Sequence, residues 1–405
     1  MKNTTKTTTI KRLSAVLLLA PLAAITAGQL EAADLNLFGT NGPAIDFHGF
    51  VSQGFLASSD YNYLGQSTHG SFKFTEAGLN AAIEPFPRTR ISAQAFTFDV
   101  GQAGDYDLVL DYAQVQYTFN DWLGVRAGRI RRPEGIFNEI QDVDMAYTWV
   151  VVPQGVCNSR WRDMYLSVDG GELFGTIRMR KAGSMSYELY YGIQRPQLDG
   201  GFAIQKENLP PNLGLTWINS PQLGGGQLWW NAPWNGLKLG AALNVDQDLT
   251  FIDVIGRRSQ GSPLTQRYSL EYLWKSWTFQ GEYFTSRVMY DNTGGGKPDS
   301  TKLIDPDGWF VSAAHRFNKW FEAGAYYTEY YPDKNDRSGA ALPVHSDGYQ
   351  KDAALALRFD ATSWWTFKIE GHHINGTGQL FDNVDNPVRG ANGWWMLGVK
   401  TTMSF

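Results

Sequence analysis

Cysteine is nearly absent from this 405-residue sequence: Cys157 is the only one, so no disulfide can form within the chain. Long apolar runs are missing too. Beyond the N-terminal region, none approaches the roughly 18 residues of a membrane-spanning helix, and the stretch 149–152 is about as dense as any. Charged residues make up 19%, compared with about a quarter in soluble proteins. These absences exclude a disulfide-stapled domain and a mature helical membrane protein.

The N-terminal region has the order of a secretory signal peptide. Basic residues up to Arg12 precede an apolar stretch at 13–27, and small residues follow at Ala32 and Ala33. About 15 apolar residues are too few to cross a bilayer core of about 30 Å. We therefore expect residues 1–32 to be a signal peptide and residues 33–405 to be an exported chain.

Aromatic residues and glycine are abundant, with 15 Trp and 43 Gly, and apolar and polar residues alternate with period two. At 393–405, for example, Trp395, Leu397 and Val399 share one face, and Lys400 and Thr402 share the other. The runs have about the 9–11 residues of a tilted transmembrane strand. The predicted strands are roughly 45–57, 71–84, 89–99, 108–119, 122–132, 171–180, 185–195, 226–232, 236–246, 266–274, 277–290, 307–317, 320–331, 349–361, 364–375 and 393–405.

Polar two-residue turns followed by tryptophan recur at Trp122, Trp277, Trp320 and Trp364. The late turns lie about 43 residues apart, which is two strands and one long loop. A β-propeller blade of that length would need four strands. The pattern therefore predicts an all-β fold, a closed antiparallel transmembrane barrel of about 16 strands with short periplasmic turns and long extracellular loops. A missed pair near 133–170 or 196–235, where Gly224–Gly226 is interpreted as loop, would make the count 18.

The chain resembles the porins of Gram-negative bacteria. Its last strand, WWMLGVKTTMSF, is similar to the assembly signal of outer-membrane barrels and closes on Phe405. Strand five, WLGVRAGRIRRPEG, is similar to the porin strand that precedes the third loop, here 133–170. The Pro-Glu-Phe-Gly-Gly signature of the enterobacterial general porins is missing, so the resemblance leaves the subfamily open. It implies a third loop folded into the barrel, a homotrimer in the outer membrane, and recognition of Phe405 by the barrel-assembly machinery. A subunit contact is the alternative position for the apolar stretch 145–152 of this loop.

If apolar faces point outward, residues of the opposite parity line the lumen and set ion preference. Alternatively, these polar residues only keep the interior hydrated and do not select between ions. The predicted pore-lining basic residues are Arg90, Arg126, Arg178 and Arg180. The predicted acidic residues of the wall and the third loop are Glu271, Glu282, Glu322, Glu370, Glu134, Glu139, Asp142 and Asp144. We expect Glu139, Asp142 and Asp144 to face Arg126 and Arg178 across a narrow gap.

The function expected from these features is passive diffusion of ions and small hydrophilic solutes through a charged constriction, without catalysis. A channel selective for small organic acids or sugars is one alternative. A non-conducting adhesin or structural barrel, or a barrel-based outer-membrane hydrolase, is another, although no catalytic set stands out. Outer-membrane lipid is the expected surrounding, and no cofactor, metal or nucleic acid is expected as a partner.

Overall fold

The computed structural model of the chain describes residues 33–35, 43–198, 200–208, 214–380, 386–388 and 391–405. The predicted signal peptide lies outside them. Sixteen long strands within the described residues build one sheet. They are β1 Ile45–Ser58, β2 Phe74–Phe86, β3 Thr89–Val100, β4 Leu108–Asn120, β5 Leu123–Arg131, β6 Ser167–Arg178, β7 Ser184–Gln194, β8 Leu215–Asn231, β9 Leu237–Gln247, β10 Leu264–Trp274, β11 Trp277–Gly294, β12 Asp307–Arg316, β13 Phe321–Tyr331, β14 Gln350–Asp360, β15 Trp365–Gly376 and β16 Gly393–Ser404.

Every strand pairs antiparallel with the next, and β16 pairs with β1 from Phe50↔Ser404 to Ser58↔Met396, so the sheet closes into a barrel. The predicted count of 16 strands is confirmed. Turns of two to five residues join the strands at one end, and longer loops join them at the other. The largest boundary error is at β8, which begins at Leu215 and includes Gly224–Gly226, the run that we interpreted as loop.

Smaller elements decorate the long-loop end and the first strand. Short strands at Leu249–Asp253, Arg257–Gly261 and Ser300–Ile304 extend β8 and β11 beyond the barrel, and Ala33–Leu35 pairs with β1. Two α-helices are described, α1 at Arg162–Tyr165 and α2 at Gly201–Asn208. No helix among the described residues is long and apolar enough to cross a membrane.

The two faces of the barrel invert the burial pattern of a soluble protein. Apolar side chains point outward and are exposed, with Leu355 at 61% and Trp395 at 63%. Charged side chains point inward and are buried, as Glu370 and Lys368 are. A continuous exposed apolar surface of this kind is stable only in an apolar solvent. The fold is therefore a transmembrane antiparallel β-barrel, as predicted.

The repeated tryptophan turns share a local cause. The side-chain oxygens of Asn120, Asn318 and Thr362 each accept a hydrogen bond from the backbone N–H of the tryptophan two residues later, at 3.0, 2.9 and 3.2 Å. Such side-chain bonds stabilise a tight turn without help from neighbouring strands. In the remaining turn, which precedes Trp277, Lys275 adopts a positive φ of 55°. The turns place exposed aromatic rings around the short-turn rim, where the membrane meets water.

Phe405 seals the joint between the first and last strands. Its backbone N–H donates to the carbonyl of Gly49 at 3.0 Å, and the N–H of Gly49 donates back to Phe405 at 3.1 Å. The ring lies over Gly49, where a Cβ atom would come within 2.7 Å of it. The terminal aromatic residue therefore fits a space that only glycine leaves open.

Deleting Phe405 should reduce the amount of folded barrel. The deletion removes two backbone hydrogen bonds, each contributing about 1 kcal/mol, together with the ring contact. The heat-dependent shift of the band on a gel measures the folded fraction, and Phe405→Tyr, which keeps the ring, is the matched control. Equal folded fractions in the deletion and the control would show that this joint does not limit folding.

Candidate functional site

The segment 132–166, which we call the internal loop, connects β5 to β6 and lies against side chains from the barrel's inner face. Its first anchor is at Gly135, whose N–H donates to Gln227 Oε1 of β8 at 2.6 Å. The next N–H, of Ile136, donates to Glu282 Oε2 of β11 at 2.8 Å. Gly135 has a φ of 71°, and a Cβ there would lie 2.5 Å from the Glu282 carboxylate, so only glycine fits this approach.

A second anchor holds the middle of the internal loop against β13–β15. Glu370 on β15 accepts hydrogen bonds from the N–H groups of Val150 and Val151 at 3.1 and 3.0 Å. Lys368, two residues before it, donates to the carbonyl of Trp149 at 2.8 Å. The Thr148 hydroxyl donates to Glu322 of β13. The inner wall therefore supplies a donor for the carbonyl of Trp149 and an acceptor for the N–H groups of Val150 and Val151.

Apolar packing accompanies these hydrogen bonds. Trp149 is 2% exposed and stacks edge-on against Tyr326 of β13, with ring centroids 5.1 Å apart. Phe137 meets Phe310 of β12 at 5.5 Å in the same cluster. Val150 and Val151 belong to a second cluster that includes Leu56 of β1. The apolar stretch noted in the sequence therefore packs on the opposite side of the barrel from β5, where the loop starts.

Three of the four acidic residues predicted for the loop form ion pairs: Glu134, Asp142 and Asp144. Glu134 binds Arg132 and, at 2.7 Å, Arg267 of β10. Asp144 lies 2.8 Å from Lys400 of β16 and accepts from Thr402 at 2.7 Å. Each carboxylate is therefore satisfied by a basic residue that the sequence analysis did not select.

Asp142 and Glu139 differ in their electrostatic surroundings. Asp142 binds Arg131 at 2.5 Å and Arg162 at 2.8 Å. Burial alone would raise the pKa of Asp142, but these two guanidinium groups hold it well below its usual range. Glu139 has the opposite balance: burial first, and then the negative charge of Glu188, raise its pKa to about 7 despite nearby arginines. Asp142 therefore stays charged, and Glu139 titrates near neutral pH.

The predicted basic residues do not form one group. Arg126 on β5 points inward and binds Glu172 at 2.7 Å and Glu188 at 3.2 Å. Arg90 pairs with Glu84 at 3.2 Å near the short-turn end. Arg178 ends β6 with its side chain 80% exposed, bound to Asp121 of the neighbouring turn at 2.9 Å.

The prediction that Arg178 and Arg180 line the pore together with Arg126 is wrong. Arg180 lies beyond β6 in a 3-10 turn, with a φ of 51°. The strand ends at Arg178, two residues earlier than predicted, because the chain reverses over residues 179–183. Arg178 is six residues from Glu172, the partner of Arg126, which is about 20 Å along a strand. Of the four predicted basic residues, Arg126 lies farthest from the short-turn end on the inner face.

The predicted wall acids lie on the inner face, but most of them are not free charges. Glu282, Glu322 and Glu370 accept hydrogen bonds from the internal loop. Glu271 instead binds Lys238 of β9 at 3.2 Å and remains partly exposed. The prediction that Asp142 and Asp144 face Arg126 and Arg178 across a gap is wrong. Their ion-pair partners are instead Arg131, Arg162, Lys368 and Lys400.

Several basic residues important to this site were missed. Arg267, Arg358, Lys368 and Lys400 all have the inward parity of their strands, so the rule that selected the acids would have selected them too. Arg131 points into the barrel, and Arg129 pairs with Asp169 at 3.1 Å. Among the described residues, no group of three or more His, Cys, Asp or Glu side chains is arranged to hold a metal ion.

The closed barrel fold is shared with known structures of outer-membrane proteins. No protein-family profile and no curated sequence matches the chain. Among solved structures, Salmonella typhi OmpF in complex with daunomycin is similar at 12% identity and a TM-score of 0.57, over 90% of this chain and 98% of that one.

Two other outer-membrane proteins are similar over comparable lengths. The anion-selective porin from Comamonas acidovorans aligns over 90% of this chain and 100% of its own, at 11% identity and a TM-score of 0.52. The channel DcaP of Acinetobacter baumannii covers 90% and 98%, at 10% identity and a TM-score of 0.54. At such identities the likeness establishes the fold: the chain has the porin architecture, with no subfamily identified.

Replacing Glu370 by Ala should release the middle of the internal loop. Two buried N–H groups lose their acceptor, and each loss costs about 1–3 kcal/mol. We expect the loop's local stability to fall by about 2 kcal/mol, which corresponds to roughly 30-fold faster amide hydrogen exchange across residues 147–156.

The matched control is Glu271→Ala, which removes an inward carboxylate that binds Lys238 and Gln280 of the wall. Loop exchange in this variant should stay at the wild-type rate. If both variants exchange alike, Glu370 does not anchor the loop.

Proposed function

We propose that the chain is an outer-membrane porin that lets ions and small hydrophilic solutes diffuse passively through a passage narrowed by the internal loop. The observation that carries this proposal is the loop itself, which is hydrogen-bonded to the wall at Glu282 and Glu370. A barrel of this size encloses a bore wider than a small solute, so selectivity needs a structure inside it. The protein would act by geometry and charge, without catalysis or a cofactor.

The charge that a solute meets is set by partly exposed groups. Arg126 and Glu188 each keep about a fifth of their side-chain surface exposed on the inner face. Glu139, whose pKa lies near 7, adds a negative charge as pH rises through neutrality. Charges beside a low-dielectric wall act more strongly than charges on an open surface. We therefore assign ion preference mainly to the group formed by Arg126, Glu139 and Glu188.

The same proposal covers location and assembly. Residues 1–32 would direct export, Phe405 would be read by the barrel-assembly machinery, and the apolar outer face would contact lipid of a Gram-negative outer membrane. A homotrimer is the oligomeric state that we propose, because a trimer form is recorded for OmpT of Vibrio cholerae, which is similar at 12% identity and a TM-score of 0.55, over 90% of this chain and 100% of that one. A channel selective for organic acids or sugars is the second candidate, and a non-conducting barrel would be recognised by the absence of current.

Replacing Arg126 by Gln should move ion selectivity toward cations. The substitution removes the positive charge that Glu172 and Glu188 share on the inner face. Reversal potentials in planar bilayers under a salt gradient measure the change. The shift should shrink in strong salt, since the screening length falls from about 10 Å at 0.1 M to about 3 Å at 1 M.

Arg178→Gln is the matched control, because Arg178 is exposed at the rim and pairs with Asp121. It should shift the reversal potential much less than Arg126→Gln does. An unchanged potential in Arg126→Gln at low salt, or a larger effect from Arg178, would exclude Arg126 from the permeation path. Wild-type protein that inserts but carries no current would refute the channel itself.

A further inference from the structure

A cavity of about 160 Å³ lies at the long-loop side of the internal loop, against β8–β11 and β13. A single water needs about 10–15 Å³ measured in this way, so the cavity has room for roughly ten waters. That matches a ligand of about ten to fifteen non-hydrogen atoms. Six aromatic rings line it: Trp161, Tyr165, Phe202, Phe284, Tyr290 and Tyr330.

The rings come from separate parts of the chain. Trp161 belongs to the internal loop, and Phe202 on α2 meets it edge-on at 5.6 Å. Tyr290 on β11 also lines the cavity and is buried in the same apolar cluster. Aromatic rings from several elements around a small space favour a flat or cyclic ligand. The polar groups of the cavity then decide which ring fits.

Asn244 of β9 supplies a polar group that lacks a partner. Its side chain is 4% exposed and lines the cavity. The amide oxygen accepts a hydrogen bond from Tyr190 at 2.6 Å, and the amide nitrogen has no partner. Buried amide groups are rarely left unpaired, so a ligand oxygen is the expected partner. Two residues on, Asp246 also lines the cavity, and one of its oxygens accepts from Ser220 at 2.6 Å.

The charges around the cavity argue against an anionic ligand. Arg132 and Arg267 line it, but Arg132 is bound to Glu134, and Arg267 is bound to both Glu134 and Glu282. Asp246 adds a carboxylate without a basic partner in the ion pairs described. No positive charge is left over to bind a ligand carboxylate or phosphate.

We propose that this cavity is a binding subsite for a neutral pyranose sugar on its way through the barrel. The C–H faces of the ring would pack on the aromatic side chains. Its hydroxyl groups would accept from the Asn244 amide and donate to Asp246. This proposal rests on the proposed function, because a sugar reaches the cavity only if solutes enter the lumen.

Calorimetric titration of the folded, detergent-solubilised protein with D-glucose tests the subsite directly. Asn244→Leu keeps the volume and removes the amide, and Tyr290→Leu removes one ring while leaving Asn244 intact. Each should weaken glucose binding about tenfold or more. Asn80→Leu, on the inner face of β2 and away from the cavity, should bind like the wild type. The heated-gel shift confirms that each variant is folded.

Benzoate, an anionic ring of similar size, is the comparison ligand. The subsite is supported if the wild-type protein binds D-glucose, both cavity variants bind it more weakly, and Asn80→Leu binds it as the wild type does. Absence of glucose binding to folded wild-type protein, glucose binding of wild-type strength in both cavity variants, or tighter binding of benzoate than of glucose would overturn it. A channel that conducts ions but binds no glucose would refute the subsite alone, whereas glucose binding without conductance would refute the proposed function alone.

Discussion

The arrangement inside the barrel depends on how the internal loop pairs its backbone polar groups. The loop forms no ladder with a neighbouring strand, so its buried N–H and carbonyl groups need partners from side chains. Glu282, Glu370 and Lys368 provide them from the wall, and these charged groups are in turn covered by the loop. Loop and wall therefore satisfy each other, and removing either one would leave buried polar groups without partners. This explains why so many charges are buried within a membrane barrel whose outer face is apolar.

The pairing of charges also limits how the interior can act on a solute. The sequence suggested Asp142 and Asp144 as free acids of a constriction. In the structure they form ion pairs with Arg131, Arg162 and lysines of the wall. Arg126 remains partly exposed, beside two carboxylates and near Glu139. A transverse field across the lumen is therefore weaker than a count of inward charges implies. The shape of the remaining space and a few exposed groups are left to determine selectivity.

The strands were predictable because their causes are local. Alternation with period two fixes which face meets lipid, and the hydrogen bonds of Asn120, Asn318 and Thr362 fix where chains reverse. The start of β8 was missed because Pro221 disfavours a strand interior and Gly224–Gly226 carries no side chains to show alternation. The partners of the loop were missed for a different reason: Val150 meets Glu370 across 220 residues of sequence. The alternation of the sequence places Glu370 on the inner face. Only the folded structure shows that its carboxylate oxygens accept hydrogen bonds from the loop backbone.

A disulfide between loop and wall tests the central claim, which is that the internal loop lies fixed against the far wall. A Cβ at Gly398 of β16 would lie 3.6 Å from the Cβ of Val150, within the range for a disulfide. In a Cys157→Ser background, the pair Val150→Cys and Gly398→Cys should lose both free thiols under mild oxidation, with conductance equal before and after reduction. The pair Val150→Cys and Gly371→Cys, whose second site faces open space outside, should keep them. Free thiols in the first pair of a folded barrel, or a conductance that changes on reduction, would contradict the account.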